Sequence, residues 1–239
     1  MPYRRLPNTD QARLRALKAA VDQVDKNPPA NLLFSQKTAL EAASFTPLFE
    51  QALQQCLDSK DRQIAASRLM TDSARTLRLF LSHFVQVFNM CIARGEIKPD
   101  ARQTLGLQDC GTAVPDLSTD KTLIEWGHTI VEGEERRMAE GGRCRIYNPS
   151  IAIVRAKLEI FESHYNAHRD ILQTVQKFKD KLDESRTRAD EIILKIWNEV
   201  ETSIGPIDSD DKRDTCQSYG LVYFYRPQER QRDFLMGIS

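Results

Sequence analysis

The stretch IAIVRAKLEIFESHYNAHRDILQTVQKFKDKL, residues 151–182, decides how the rest of the chain is read. Taken in sevens, one set of positions is Ile151, Leu158, Tyr165, Leu172 and Lys179, and the other is Val154, Phe161, His168, Val175 and Leu182. Eight of these ten carry an apolar body, and the spacing alternates three and four without a slip. That is the seam of a long helix laid against other helices. No Gly or Pro interrupts it. Polar His168 falls where the frame demands a core residue, so its ring needs a buried hydrogen-bond partner and would help fix helix register.

Working outward, the same pattern is written twice. Asn8-Thr9-Asp10 corresponds to Ser118-Thr119-Asp120, each opening a helical pattern. Phe34-Ser35 corresponds to Tyr147-Asn148, each closing a loop rich in helix breakers. Gln103–Leu107 corresponds to Gln217–Leu221, with Gly106 matching Gly220. The offsets, 110, 113 and 114, drift as small loop insertions would make them. Repeats, once present, define an architecture. The expected fold is therefore all-α: a long-helix bundle of two tandem three-helix repeats, 8–112 and 118–226, packed as one body with pseudo-twofold symmetry.

Within the first repeat, helix A is expected over Thr9–Lys26, ended by Asn27-Pro28-Pro29. Helix B starts at the N-cap Ser35 and is kinked or locally ended at Pro47. Helix C carries Leu77, Leu81, Phe84, Phe88 and Cys91 and stops at Gly95. A short helix follows near Pro99–Leu105. In the second repeat, helix A spans Thr119–Ala139, and helix B is capped by Asn148 with Pro149 in its first turn. Helix C holds Ile193, Ile196, Trp197, Val200 and Ile204 and stops at Gly205-Pro206. Turns between helices B and C are expected at Thr71–Ala74, or alternatively Asp58–Asp61, and at Asp183–Thr187, where Thr, Asp and Ser offer capping oxygens. Leu221–Tyr225 is β-branched and aromatic and predicts a short β element near the C-terminus. Its partner is either Gly111–Val114 or none, in which case it packs as an extended apolar tail. Residues after Arg226 are expected to fray.

Composition narrows the function classes. Lys plus Arg equals Asp plus Glu, 34 each, which argues against general affinity for nucleic acid or an anionic membrane. The basic residues Arg136, Arg137, Arg143 and Arg145 interleave with Glu132, Glu134, Glu135 and Glu140, as on a solvated, salt-bridged face. The five cysteines are scattered and form no C-x-x-C pair, so the spacing suggests neither a disulfide framework nor a zinc site. No signal peptide is legible in MPYRRLPNTD, and no apolar run approaches the ~20 residues that cross a bilayer. A cytoplasmic protein is the simplest reading. Phosphate-binding glycine motifs and nucleophile motifs are absent from the sequence.

The strings LSHFVQVFNMCIARGE (81–96), IEWGHTIVEGEERR (124–137), NPSIAIV (148–154), IWNEVE (196–201) and YGLVYFY (219–225) resemble those of a family of uncharacterised bacterial proteins. The resemblance implies a helical fold and brings no activity, cofactor or partner.

Two function classes follow. The first is a non-enzymatic helical scaffold that binds a protein partner or itself. The second is a metal-binding helical-bundle enzyme. Glu125 and His128 form Glu-x-x-His, which puts both side chains on one helix face as in carboxylate-bridged dimetal bundles, and His128 and Glu132 could supply a simpler site with His168. A dinuclear centre needs a second such motif, and the sequence has one. Trp126-Gly127 is expected to let another backbone come close to helix A of the second repeat.

Overall fold

The computed structural model describes residues 3–206 and 210–224. In chain order the elements are β1 (Tyr3–Arg4), α1 (Asp10–Lys26), α2 (Gln36–Ala93), α3 (Ala101–Thr104), α4 (Asp120–Ala139), α5 (Ile151–Ile204), α6 (Asp210–Ser218) and β2 (Tyr223–Phe224). Among the described residues the protein is mostly helical, with one two-stranded ribbon.

Local chemistry sets the ends of the first and fourth helices. Thr9 accepts a hydrogen bond from the Ala12 N–H at 3.2 Å, and Thr119 accepts one from Thr122 at 3.1 Å. Each satisfies an N–H that an α-helix leaves without an intrahelical partner. The expected bounds of both A helices hold, as do the helix stops before Gly95 and Gly205.

The expected turns between helices B and C do not exist. α2 runs unbroken for 58 residues and α5 for 54. The hydroxyls meant to cap a new helix bond back into the preceding turn instead. Thr71 donates to the Ser67 carbonyl at 2.8 Å, Ser73 to Met70 at 2.9 Å and Ser185 to Lys181 at 2.9 Å. A Ser or Thr so bonded is compatible with a helix interior, and neither a Gly nor a Pro interrupts these stretches. Pro47 also fails to end α2. It is exposed, so the hydrogen bond it removes lies on the wet face, while Thr46 and Phe49 beside it are buried. α5 begins at Ile151, past the expected cap at Asn148.

The chain divides into two compact units. Unit 1 comprises residues up to Ser59 and from Val175 onward, and unit 2 is Lys60–Thr174. Each long helix therefore gives one part to each unit. Unit 1 is cored by Leu17 of α1, Phe49 and Leu53 of α2, Ile193, Ile196 and Trp197 of α5, and Tyr219 and Leu221 after α6. Unit 2 is cored by Leu81, Phe84 and Phe88 of α2, Leu105 after α3, Ile130 of α4, and Val154, Leu158 and Phe161 of α5. The seam read over 151–182 is buried at Val154, Leu158, Phe161 and Leu182, whereas no residue from 162 to 181 is buried. His168 is half-buried, so it is no core residue. One 18-residue window within α2 has a mean hydropathy of 1.3, one third of it buried, a feature the sequence reading did not anticipate. The core helix of a folded domain shows the same property, and Leu77, Leu81, Phe84 and Phe88 are fully buried there.

In unit 1, a carboxylate from α5 closes the start of α2. The Ser35 N–H donates to Glu199 Oε2 at 2.6 Å and the Thr38 hydroxyl to Oε1 at 2.7 Å. Burial alone would raise the Glu199 pKa, but these hydrogen bonds outweigh it and hold the group below its usual value. A lowered carboxylate contributes stability at neutral pH that is lost as pH falls through its folded-state pKa. Replacing Glu199 by Gln is therefore expected to cost about 1 kcal/mol at neutral pH. The gap between variant and parent should close in acid. Urea unfolding at several pH values checks this; a pH-independent gap would exclude the carboxylate's charge as the cause.

The ribbon is the second departure. β2 pairs antiparallel with β1, Tyr3 opposite Phe224 and Arg4 opposite Tyr223, and not with 111–114. Arg4 reaches Glu201 at 2.9 Å, and the Tyr223 hydroxyl donates to the same residue at 2.9 Å, tying both strands to α5. The expectation of fraying after Arg226 lies outside the described residues.

Candidate functional site

The metal set expected from sequence does not converge. Glu125 is exposed and lies 3.8 Å from Lys121. His128 Nε2 sits 2.5 Å from Glu162 Oε1 of α5, a pairing the sequence reading did not propose. Among the described residues, the three His, Cys, Asp or Glu side chains whose ligand atoms all lie within 4.8 Å of one another are Cys91, Glu96 and Cys144, all in unit 2. Glu125, His128 and His168 form no such group.

The Cys–Glu–Cys cluster is built at two helix ends. Cys91 lies in the last turn of α2 and is buried. Gly95 then takes φ +75°, a left-handed conformation that suits a residue without a Cβ. The turn folds the chain back, so the N–H groups of Glu96 and Ile97 both donate to the Cys91 carbonyl, at 2.9 and 3.3 Å. The Glu96 carboxylate is thereby brought over the Cys91 thiol. Arg94, in the same turn, lies 2.9 Å from Glu96 Oε1 and 3.5 Å from Cys91 Sγ.

Cys144 arrives from the loop after α4. Its backbone has φ +60°, the one positive value among the described non-glycine residues. That conformation costs of order 1 kcal/mol or more and persists only where the surroundings impose it. Here Arg137 imposes it. Its guanidinium donates to the carbonyls of Arg143 and Cys144 at 2.8 and 3.0 Å. It is itself gripped by Glu134 through two bonds of 2.7 Å, with both side chains almost fully buried. The Cys144 thiol lies 3.5 Å from Glu96 Oε2.

Electrostatics separates this trio from a nucleophilic cysteine. Partial burial, the hydrogen bond to Glu96 and the neighbouring Cys91 push the Cys144 thiol up to about 11. A reactive cysteine shows the reverse, a thiol lowered by a cation or a helix N-terminus. Two thiols and a carboxylate facing one another, with one side open to water at Glu96, form a soft ligand set.

Sequence reading missed this cluster because Cys91 and Cys144 are 53 positions apart and neither belongs to a spaced pair. The one local signal was Cys91 followed by Gly95 and Glu96 at a helix end. Trp126-Gly127 was read as a place of close backbone approach. A Cβ on Gly127 would instead meet the Leu158 side chain at 2.7 Å; the close backbone is at Gly133, where an added Cβ would come within 2.4 Å of the Thr104 carbonyl oxygen.

Searches against protein-family profiles, curated proteins and solved structures return no match, which agrees with the resemblance to a family without assigned function.

Proposed function

We propose that the protein is a non-enzymatic, cytoplasmic helical scaffold that arose by duplication and binds a second copy of itself through the outer face of α2. Support for the duplication lies in the burial register. Ala42 and Val154, Phe49 and Phe161, Leu81 and Ile193, Phe84 and Ile196, and Phe88 and Val200 are pairs of buried residues, each 112 positions apart. Further, Gly220 after α6 packs on Ala16 of α1, as Gly106 after α3 packs on Thr129 of α4. On this reading each unit takes the first part of one copy's long helix and the second part of the other's, and the repeat has two full helices rather than three. Five free cysteines suit a reducing compartment.

The observation that carries the function is a divergence between the copies. In unit 2, α2 exposes Ile64, Leu69, Leu79 and Met90, each more than half accessible. By helical geometry they fall within an arc of about 140°. The positions 112 further on, in α5, are Gln176, Lys181, Glu191 and Thr202, also exposed. One copy thus carries polar side chains where the other exposes four large apolar ones, interleaved along the helix with the exposed Arg68, Asp72, Arg75, His83 and Gln86, and these four supply the apolar contacts of the interaction surface. A net charge of zero removes the long-range repulsion that keeps like molecules apart. Identical patches meeting face to face give a closed twofold dimer.

Light scattering after gel filtration across a concentration series tests the proposal. The parent is expected to dimerise. The variant Ile64→Gln, Leu69→Lys, Leu79→Glu, Met90→Thr should be a monomer with unchanged helicity, because it borrows side chains already tolerated at the matching positions. A parent that stays monomeric throughout, or a variant that still dimerises, would refute it.

A further inference from the structure

We propose that Cys91, Glu96 and Cys144 bind one zinc-class divalent cation, with two sulfurs and one carboxylate oxygen as ligands. The three ligand atoms already lie within 4.8 Å of one another. Around tetrahedral zinc, with Zn–S near 2.3 Å, two sulfurs are about 3.8 Å apart. Closure therefore needs a contraction of about 1 Å at most, within reach of side-chain rotation at the half-buried Cys144 and the exposed Glu96.

Three features single out this set. The first is charge. Two thiolates and one carboxylate carry −3; a divalent cation and the adjacent Arg94 supply +2 and +1, so the bound site is neutral. Glu134 and Arg137 neutralise each other separately. The second is division of labour at Glu96. Arg94 holds Oε1 at 2.9 Å and reaches Oε2 at a longer 3.2 Å, and Oε2 is the oxygen turned to Cys144, 3.5 Å from its sulfur. Oε2 can ligate the metal by giving up the longer of its two Arg94 contacts while Oε1 stays on Arg94, the outer-shell arrangement that orients a ligating carboxylate. The third is the Cys144 backbone. The buried Glu134–Arg137 pair bonds the carbonyl of this left-handed residue, and its thiol lies within 4.8 Å of the Cys91 sulfur. With three protein ligands and an exposed carboxylate, the fourth position faces water.

The test is zinc titration of the reduced full-length protein against a chromophoric chelator, with cobalt as a spectroscopic substitute. One equivalent of zinc is expected. Cobalt should give thiolate-to-metal charge-transfer absorption and the visible bands of a tetrahedral ion. Cys91→Ser and Cys144→Ser should each weaken zinc binding by more than the roughly 10–100-fold of an outer-shell change. Glu96→Gln, at a half-exposed position where folding is not at stake, should weaken it by roughly tenfold or more. Cys110→Ser should leave it unchanged. The site is overturned if the reduced protein takes up no stoichiometric zinc, if Cys144→Ser and Glu96→Gln both bind like the parent, or if uptake follows Cys110. Air oxidation that links Cys91 to Cys144 in a protein inert to zinc also overturns it. The dimerisation variant of α2 keeps all three ligands, so the two proposals fail independently.

Discussion

Replacing Glu134 by Ala is expected to cost about 3–5 kcal/mol, because it leaves a guanidinium buried with half of its partners gone. Arg137 has only 7% of its side chain exposed and receives Glu134 as a bidentate partner at 2.7 Å on both nitrogens. Its pKa is raised chiefly by that hydrogen-bonded pairing, and burial works the other way. Remove the carboxylate and the burial penalty stands uncompensated. The two carbonyls of Arg143 and Cys144 accept hydrogen bonds but neutralise no charge. The double variant Glu134→Leu, Arg137→Met should recover much of the loss, since an apolar pair of similar size often replaces a buried ion pair at little cost. The two variants should then part company over the loop. Glu134→Ala keeps the Arg137 hydrogen bonds to the loop carbonyls, whereas the double variant loses that clamp on Cys144, so zinc uptake should fall in the double variant even as its stability returns. Urea midpoints and zinc titration on the same three proteins check this. A Glu134→Ala protein within about 1 kcal/mol of the parent would mean that water reaches Arg137 and that the pair is not structurally buried.

How much of this was legible in the sequence follows from where each feature is encoded. The A helices were legible because their limits are local: Thr9 and Thr119 cap the next three residues, and Asn27 or the Gly141-Gly142 pair ends the run. The uninterrupted α2 and α5 were not. Thr71, Ser73 and Ser185 can either cap a new helix or bond back to the turn before, and the sequence does not say which. The seam over 151–182 was read correctly as one helix face. Periodicity reports which side chains share a face, not whether anything covers them, so Tyr165, His168 and Leu172 looked like core and are not buried. Non-local partners were the least legible of all. Tyr3 and Arg4 as the mate of Tyr223 and Phe224, and Cys144 as the mate of Cys91, are fixed by the folded chain and leave no spacing to read. His128 shows both sides of this: its i+3 relation to Glu125 is real, yet the nearer carboxylate is Glu162, 34 positions away.

Gly133→Ala and Gly220→Ala are each expected to destabilise by about 2–3 kcal/mol, for related but separable reasons. A Cβ on Gly133 of α4 would sit 2.4 Å from the Thr104 carbonyl oxygen and 2.8 Å from the Leu105 Cα. Both are backbone atoms at the end of α3, so no rotamer change relieves the clash, and α3 must move off α4. On Gly220 the new methyl would meet the Ala16 carbonyl at 2.8 Å and the Ala16 Cα at 2.9 Å. That residue also has φ +86°, where an L side chain adds a further cost of about 1 kcal/mol. Two neighbouring glycines serve as controls. Gly127→Ala meets only the Leu158 side chain, which can rotate, and Gly95→Ala has nothing within 4 Å and carries the φ cost alone. Denaturant midpoints should therefore rank Gly133 and Gly220 well below Gly95 and Gly127. The ranking bears on the duplication as well as on packing. Gly133 and Gly220 occupy the same kind of junction, an N-terminal helix against the chain just after a short terminal helix, once in each unit. If both junctions descend from one ancestor, both should resist a methyl group. Were Gly220 to accept Ala while Gly133 does not, the junction in unit 1 would be loose, and the proposed duplication would lose the support of matching junctions.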